Sequence, residues 1–400
     1  MQTVHLDRDL IPPSKEAGAG APTAWPLATP RFAKTPKERI AFLYLGRRGG
    51  ITRLAYELGV AAVHHPKIDP LLVLSESNEL LGLTQTLPAV QTMRVFTSGF
   101  GALTQAYRIP KLVQGLNDAL NAHRTETIVV LASHVWNPVI APFLKQAGRR
   151  YVVIIHDAAP HPGDVTGLAY NWLLRDAAQA DRLITLSNSV TTALLTKRRI
   201  PRERIVTLFH PLMTYVQKGA HTAWHGERPL RLLFFGRMMA YKGLPLFVAA
   251  LDELRTKGLM IDVTVAGEGD LRGQKQRLDS LGVTVINRWL GDGELSSLLA
   301  THDAVVLTHI EASQSGCAAA ALGAGLPVIT TPVGGLVEQI AHEVNGLVAE
   351  RVDAAAIACQ IARLAKDPSL YRSLVQGVVH RWETCNFLDS MLDAIAPTVH

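Results

Sequence analysis

Short runs of unbroken apolar residues alternate with helix-length stretches along nearly the whole chain. This rhythm constrains the fold more than any other feature. From residue 39 onward the runs include IAFLYLG (40–46), LLVLSE (71–76), MRVFTSG (93–99), TIVVLAS (127–133), YVVIIHD (151–157), RLITLS and RIVTLF (204–209). Helix-length stretches such as Thr52–Val60 and Leu103–Ala122 separate them. Strands apolar on both faces belong to parallel sheets that helices cover from each side. The rhythm pauses over 210–229 and then restarts with LRLLFFG (230–236), IDVTVAG (261–267), VTVIN (283–287), DAVVLTH (303–309), LPVITT (326–331) and GLVAE (346–350). The sequence therefore predicts an α/β chain of two doubly wound, Rossmann-like domains. The expected boundaries are a flexible extension over 1–38, a first domain over 39–212, a linker over 213–229, a second domain over 230–384 and a C-terminal helix over 385–400. Ligands of such sheets sit beyond the strands' carboxyl ends, so the cleft between the domains is the expected site.

Composition narrows the partners. The 400 residues and their 48% apolar content suffice for two cores. A net charge of +6 suits an anionic small molecule, an anionic membrane surface or nucleic acid, and alone selects none. Cys317, Cys359 and Cys385 lack metal-like spacing, which points to a reduced compartment. No apolar run is long enough to span a membrane, and the opening MQTVHLDRDL lacks the order of a secretory signal. A cytoplasmic protein is expected. Asp7–Asp9 imitate a metal-binding Asp-x-Asp, but they follow no strand and read as solvated charge.

Five stretches carry candidate chemistry. In LLFFGRMMAYKG (232–243) an apolar strand ends at Gly236 and two cations follow, Arg237 and Lys242. They are either solvated loop residues or ligands of an anion at a strand exit. In GRRGG, Gly49 and Gly50 close a turn before a helix, where backbone amides and the helix start favour negative charge. In VAGEGDLRG, beginning near Gly267, the spacing imitates a dinucleotide fingerprint, but the next strand ends in Asn287 where an acid should hold a ribose. In HIEASQSGCAAAALGAGLP, Gln314, Ser315, Gly316 and Cys317 lead into an Ala-rich helix with Ser315 as N-cap, and Glu311 lies upstream. Glu338 lies in the first turn of a later helix start, TPVGGLVE. In VVIIHDAAPHPGD, His156 leaves a strand's carboxyl end and His161 follows in a Pro-rich loop. His134 and the pair His64–His65 are weaker candidates.

Taken in order, GRRGG, FFGRMMAYKGLPLFVAAL, VTVAGEGDLR and GLPVITTPVGGLVEQIAHEVNGLVAE resemble retaining GT-B glycosyltransferases of family 4 over roughly residues 39–350. The resemblance implies a nucleotide-diphosphate sugar held mainly by the second domain, and a glycan or lipid-linked acceptor held mainly by the first. It implies that Arg237 and Lys242 contact the diphosphate, that Gly49 and Gly50 border the phosphates, and that His156 lies near the reacting sugar. Glu311 matches the first Glu of the family's E-x7-E motif. The second falls on Ala319 or Ala320, so what holds the ribose is open, with Glu338 a possible substitute. The chain is similar to a subset carrying E-x-x-Q-S-G in this loop.

The expected chemistry is metal-independent sugar transfer, with Arg237, Lys242 and the amides near Ser315–Cys317 stabilising the departing diphosphate. No cofactor and no nucleic-acid partner is expected. A nucleotide-sugar epimerase of the same fold or a non-catalytic nucleotide-sugar-binding protein stays open. Arg31, Lys34, Lys37, Arg39, Arg47 and Arg48 are either solvated or meet anionic lipid at the inner face of the membrane.

Overall fold

The computed structural model describes residues 37–160, 170–216, 223–384 and 387–396. Asp7–Asp9, Arg31, Lys34, His161 and Cys385 lie outside the described residues.

The first lobe is a seven-stranded sheet. Its strands are β1 (Glu38–Tyr44), β2 (Ile68–Ser75), β3 (Val90–Met93), β4 (Thr127–Val130), β5 (Arg150–Ile155), β6 (Arg182–Thr185) and β7 (Ile205–Thr207). They run in the order β3-β2-β1-β4-β5-β6-β7, every pair parallel. The second sheet has β8 (Leu230–Phe235), β9 (Ile261–Ala266), β10 (Thr284–Ile286), β11 (Ala304–Leu307), β12 (Val328–Thr330) and β13 (Gly346–Val348). Its order is β10-β9-β8-β11-β12-β13, again parallel throughout. The order of both sheets reverses beside their first strand, between β1 and β4 and between β8 and β11. A crevice opens at such a switch point because the flanking connections leave to opposite faces. This is the GT-B architecture, two parallel Rossmann-like lobes.

Burial explains the unbroken apolar runs. Ile40, Ala41 and Phe42 of β1 are fully buried, as are Leu232 and Leu233 of β8, because helices cover both faces of each sheet. Two boundaries differ from the sequence expectation. The strand expected over 93–99 ends at Met93, where Gly99 instead begins a helix. The segment expected as a linker is partly core: Met213 and Val216 are buried in the second lobe, and Trp224 is buried beneath Tyr371.

The chain also returns. Met391, Leu392 and Ile395 of helix Phe387–Ile395 pack into the first lobe's core with Ile40, Phe42 and Leu74. Lys67 and His65 reach Asp393 at 3.5 and 3.6 Å, so the last helix is tied to the first sheet.

Candidate functional site

The strand exits of both sheets meet around a cavity of about 550 Å³, a size ordinary for sites that take small-molecule ligands. The first lobe contributes Gly49 and Gly50 after β1, and His156 and Asp157 after β5. The second contributes Gly236, Arg237 and Lys242 after β8, Gly267 after β9, and Gln314, Ser315, Gly316 and Cys317 after β11. Most of the residues singled out from the sequence therefore share one wall-to-wall space.

The strand exit at Gly236 is built for close approach. Gly236 has φ of 104°, and a β-carbon there would collide with the Lys242 ammonium and the Cys317 sulfur. Lys242 is only 6% exposed. Its Nζ lies 3.1 Å from Cys317 Sγ and 3.5 Å from the Phe235 carbonyl. Arg237 is exposed and has no ion-pair partner among the described residues. The bland account of both cations as solvated loop residues does not suit Lys242, whose charge is withdrawn from water toward the cavity.

The helix start opposite is also prepared. Helix Gly316–Gly323 is capped by Ser315, whose Oγ accepts from the Ala318 amide. Gln339 clamps Ser315 from both sides: its Oε1 accepts from the Ser315 amide at 2.8 Å and its Nε2 donates to the Ser315 carbonyl at 3.1 Å. Ser315 therefore has no amide to offer an anion. The first-turn amides of Gly316 and Cys317 are the ones available there.

His156 joins the lobes. Its Nε2 donates to the Leu131 carbonyl at 2.7 Å, and its Nδ1 accepts from Gln314 Nε2 at 2.8 Å. The two partners assign the tautomer with the proton on Nε2. Burial pushes the His156 pKa down, so the ring is neutral. His210, also on the cavity wall, is held at about 4 by burial.

Two expected residues lie elsewhere. Glu311 is exposed and is not on the cavity wall, because the chain turns Gln314 inward instead. Glu338 is also off the wall. Its carboxylate accepts from the Asn188 and Ser189 amides at 2.6 and 2.8 Å, which satisfies the start of helix Asn188–Lys197. It acts as an inter-lobe cap, with both carboxylate oxygens engaged by those amides. Ala319 and Ala320, where a second Glu would fall, are buried. The Ala319 carbonyl accepts from the Met213 amide at 3.2 Å, and small side chains are what let that backbone approach. His64 and His65 lie at the end of helix Gly50–His64, away from the cavity, and His134 stacks on Phe96.

Several wall residues gave no signal in the sequence. Glu79 accepts from the Gly49 amide at 2.6 Å and from Trp289 Nε1 at 3.1 Å, crossing the lobes, and burial pushes its pKa up. The Gly49 amide is thus occupied. Arg48 lies over the Trp289 ring at 4.3 Å and reaches Glu268 at 2.9 Å. Arg53 reaches Glu57 at 2.8 Å, Asp292 at 3.0 Å and the Thr214 carbonyl. Apart from Arg53–Glu57, which lie one turn apart on helix Gly50–His64, these contacts join residues far apart in sequence, so the sequence alone does not pair them.

Known proteins resemble this chain. Residues 229–367 match the family of glycosyl transferases group 1. That match lies in the second lobe, from β8 through helix Ala354–Lys366. Glycogen synthase of Mycobacterium tuberculosis (strain H37Rv) is 28% identical over 322 residues, 73% of this chain and 74% of that protein. D-inositol 3-phosphate glycosyltransferase of Salinispora arenicola is 31% identical over 175 residues, 40% of this chain and 38% of that protein. Among solved structures, Anabaena Alr3699/HepE in complex with UDP-glucose superposes with a TM-score of 0.67 at 17% identity, covering 89% of this chain and 98% of that one. Sucrose-phosphate synthase from Thermosynechococcus elongatus gives 0.66 at 18% identity, covering 90% and 98%. Both structural likenesses bear on the fold alone. Arg237, Lys242, Gln314 and the amides of Gly316 and Cys317 all fall within the matched residues and face the other lobe across the cavity.

Proposed function

We propose that this chain is a retaining hexosyltransferase of glycosyltransferase family 4, in the subset with E-x-x-Q-S-G, that moves a sugar from a nucleotide diphosphate to a glycan or lipid-linked saccharide in the cytoplasm. The observation that carries this reading is the shared space around Arg237, Lys242 and the Gly316–Cys317 amides, opposite His156.

Breaking the bond between the sugar's anomeric carbon and the diphosphate oxygen leaves negative charge on the leaving group. Fixed cations and amide donors lower the energy of that charge without reorganising. Lys242 and Arg237 supply the cations, and the helix start supplies the amides and its dipole. With two cations at the phosphates, no divalent metal is needed. In front-face transfer the acceptor hydroxyl bonds the anomeric carbon as the phosphate leaves, and its proton passes to a phosphate oxygen. His156 is neutral and already bonded at both nitrogens, which suits it to shape the sugar's seat and hold Gln314 rather than to act as a base. A smaller cavity of about 180 Å³ shares Ile51, His156 and Asp157 with the first and lies on the first lobe's side, where an acceptor would enter.

The test has two steps. Thermal shift against a panel of nucleotide sugars should find one that raises the melting temperature, since a ligand of the folded state must stabilise it. Transfer from that donor should persist in EDTA. Absence of any stabilising nucleotide sugar contradicts the proposal.

A further inference from the structure

Outside the cavity wall, the first lobe carries an apolar stripe that the reaction does not use. Phe100, Leu103 and Tyr107 are 78%, 80% and 73% exposed. They lie on helix Gly99–Thr104 and the turn Ala106–Arg108 that continues it. Spacing of three and then four residues places them along one face. Among the described residues, only Met260 matches them in exposure among large apolar side chains.

The stripe is held outward. Ser98 caps the helix by accepting from the Gly101 amide at 3.1 Å. Gly101 is buried, and the Ala102 carbonyl accepts from Trp136 Nε1 at 3.0 Å. Trp136 is itself buried edge-on against Phe96. The inner face is thus fixed to the core, so the outer face cannot turn in without breaking those bonds.

Charge selects the occupant. No acidic residue occurs between Glu79 and Asp118, whereas Arg94, Arg108 and Lys111 do. Arg94 and Lys111 are exposed, and Arg108 stacks over Tyr107 at 5.6 Å. A symmetric contact with a second copy would set these cations against themselves. An exposed apolar stripe on a segment that carries cations and no acids fits acyl chains beneath anionic headgroups. The basic set expected from the sequence fits less well, because Arg39 is paired with Glu126 and Arg48 with Glu268.

We infer that Phe100, Leu103 and Tyr107, with Arg94, Arg108 and Lys111, dock the chain on an anionic lipid bilayer. The surface adjoins the cavity: Arg47 donates to the Thr97 carbonyl at 2.7 Å, and the next residues, Arg48 and Gly49, line the wall. Docking there brings the loop that carries Arg48 and Gly49 toward the headgroups. An acceptor could then keep its lipid in the bilayer and present its sugar. That last clause rests on the proposed transfer; the docking does not.

The test is flotation of the full chain with phosphatidylcholine vesicles, with and without phosphatidylglycerol. The wild type should float with the anionic vesicles at low salt and less at high salt. Phe100→Ser/Leu103→Ser should lower the partition about tenfold or more, and Arg94→Gln/Lys111→Gln should lower it and flatten its salt dependence. Both variants should keep the wild type's urea midpoint, which shows that they fold. No flotation of the wild type with anionic vesicles overturns the inference, as does equal flotation of the serine variant. So does light scattering that shows a dimer which the serine variant dissolves. Flotation without any nucleotide-dependent thermal shift would sink the transferase reading and leave the docking standing.

Discussion

Lys242 Nζ lies 3.1 Å from Cys317 Sγ, linking the exit of one strand to the first turn of the helix beyond the next. An ammonium has three donors. Its two protein partners, a sulfur and a carbonyl at 3.5 Å, are weak or distant, so its charge is directed to the cavity. Lys242→Ala is expected to lower transfer by roughly 10²–10³-fold, the range found when a fixed donor to a developing anion is lost. Lys242→Arg should not rescue, since a planar fork does not fit beneath Gly236. Steady-state rates on variants with unchanged urea midpoints check both.

Gln314 donates to His156 across the lobes, so reversing that donor should recharge the ring. Gln314→Glu places a carboxylate at Nδ1 and is expected to raise the His156 pKa, because a neighbouring negative charge favours the protonated ring. Histidine ring NMR across a pH series reads it directly. An unchanged titration would refute the assigned tautomer.

Arg53 holds Glu57 inside the molecule. Glu57 is 8% exposed, and its Oε1 accepts from Arg53 at 2.8 Å and from the Thr214 amide at 2.6 Å. Burial pushes its pKa up. Arg53→Met strands that carboxylate and should cost about 3–5 kcal/mol of stability. Urea denaturation at neutral pH measures this. The exposed pair Arg48–Glu268 should by contrast contribute about 0–1 kcal/mol.

Asp176 gives a pH signature. It is fully buried, accepting from Tyr151 Oη at 2.8 Å and Asn137 Nδ2 at 3.0 Å, and burial raises its pKa to about 6. The folded state then binds a proton more tightly than the unfolded chain, so this group's contribution falls as pH rises from about 4 to 6 and is constant above. Asp176→Asn keeps the neutral form at every pH. Its stability relative to wild type should rise by up to about 3 kcal/mol over that window. A constant difference between the two proteins from pH 4 to 7 would contradict the assignment.

What the sequence made legible follows from locality. The unbroken runs at Ile40–Leu43 and Leu232–Phe235 announce strands buried on both faces, and the glycine with two cations at 236–242 announces a strand exit, which lines the cavity. The alanines at 318–321 announce close packing, though not that Met213 is what packs there. Glu338 and Glu311 lie off the cavity wall for a common reason: which way a loop side chain turns is set by partners distant in sequence. Glu338 turned to the amides at 188 and 189, and Gln314 took the inward place beside His156. Glu79, Arg53 and Trp289 were invisible because each acquires its role only when the lobes meet.

The most direct measurement is calorimetric titration of a nucleoside diphosphate panel into the wild type and into Lys242→Ala. The two-cation account predicts one-site binding of at least one diphosphate to the wild type, about tenfold or more weaker in the variant, as loss of a charge-assisted hydrogen bond worth about 1.5–3 kcal/mol requires. Equal affinity in both proteins would contradict it.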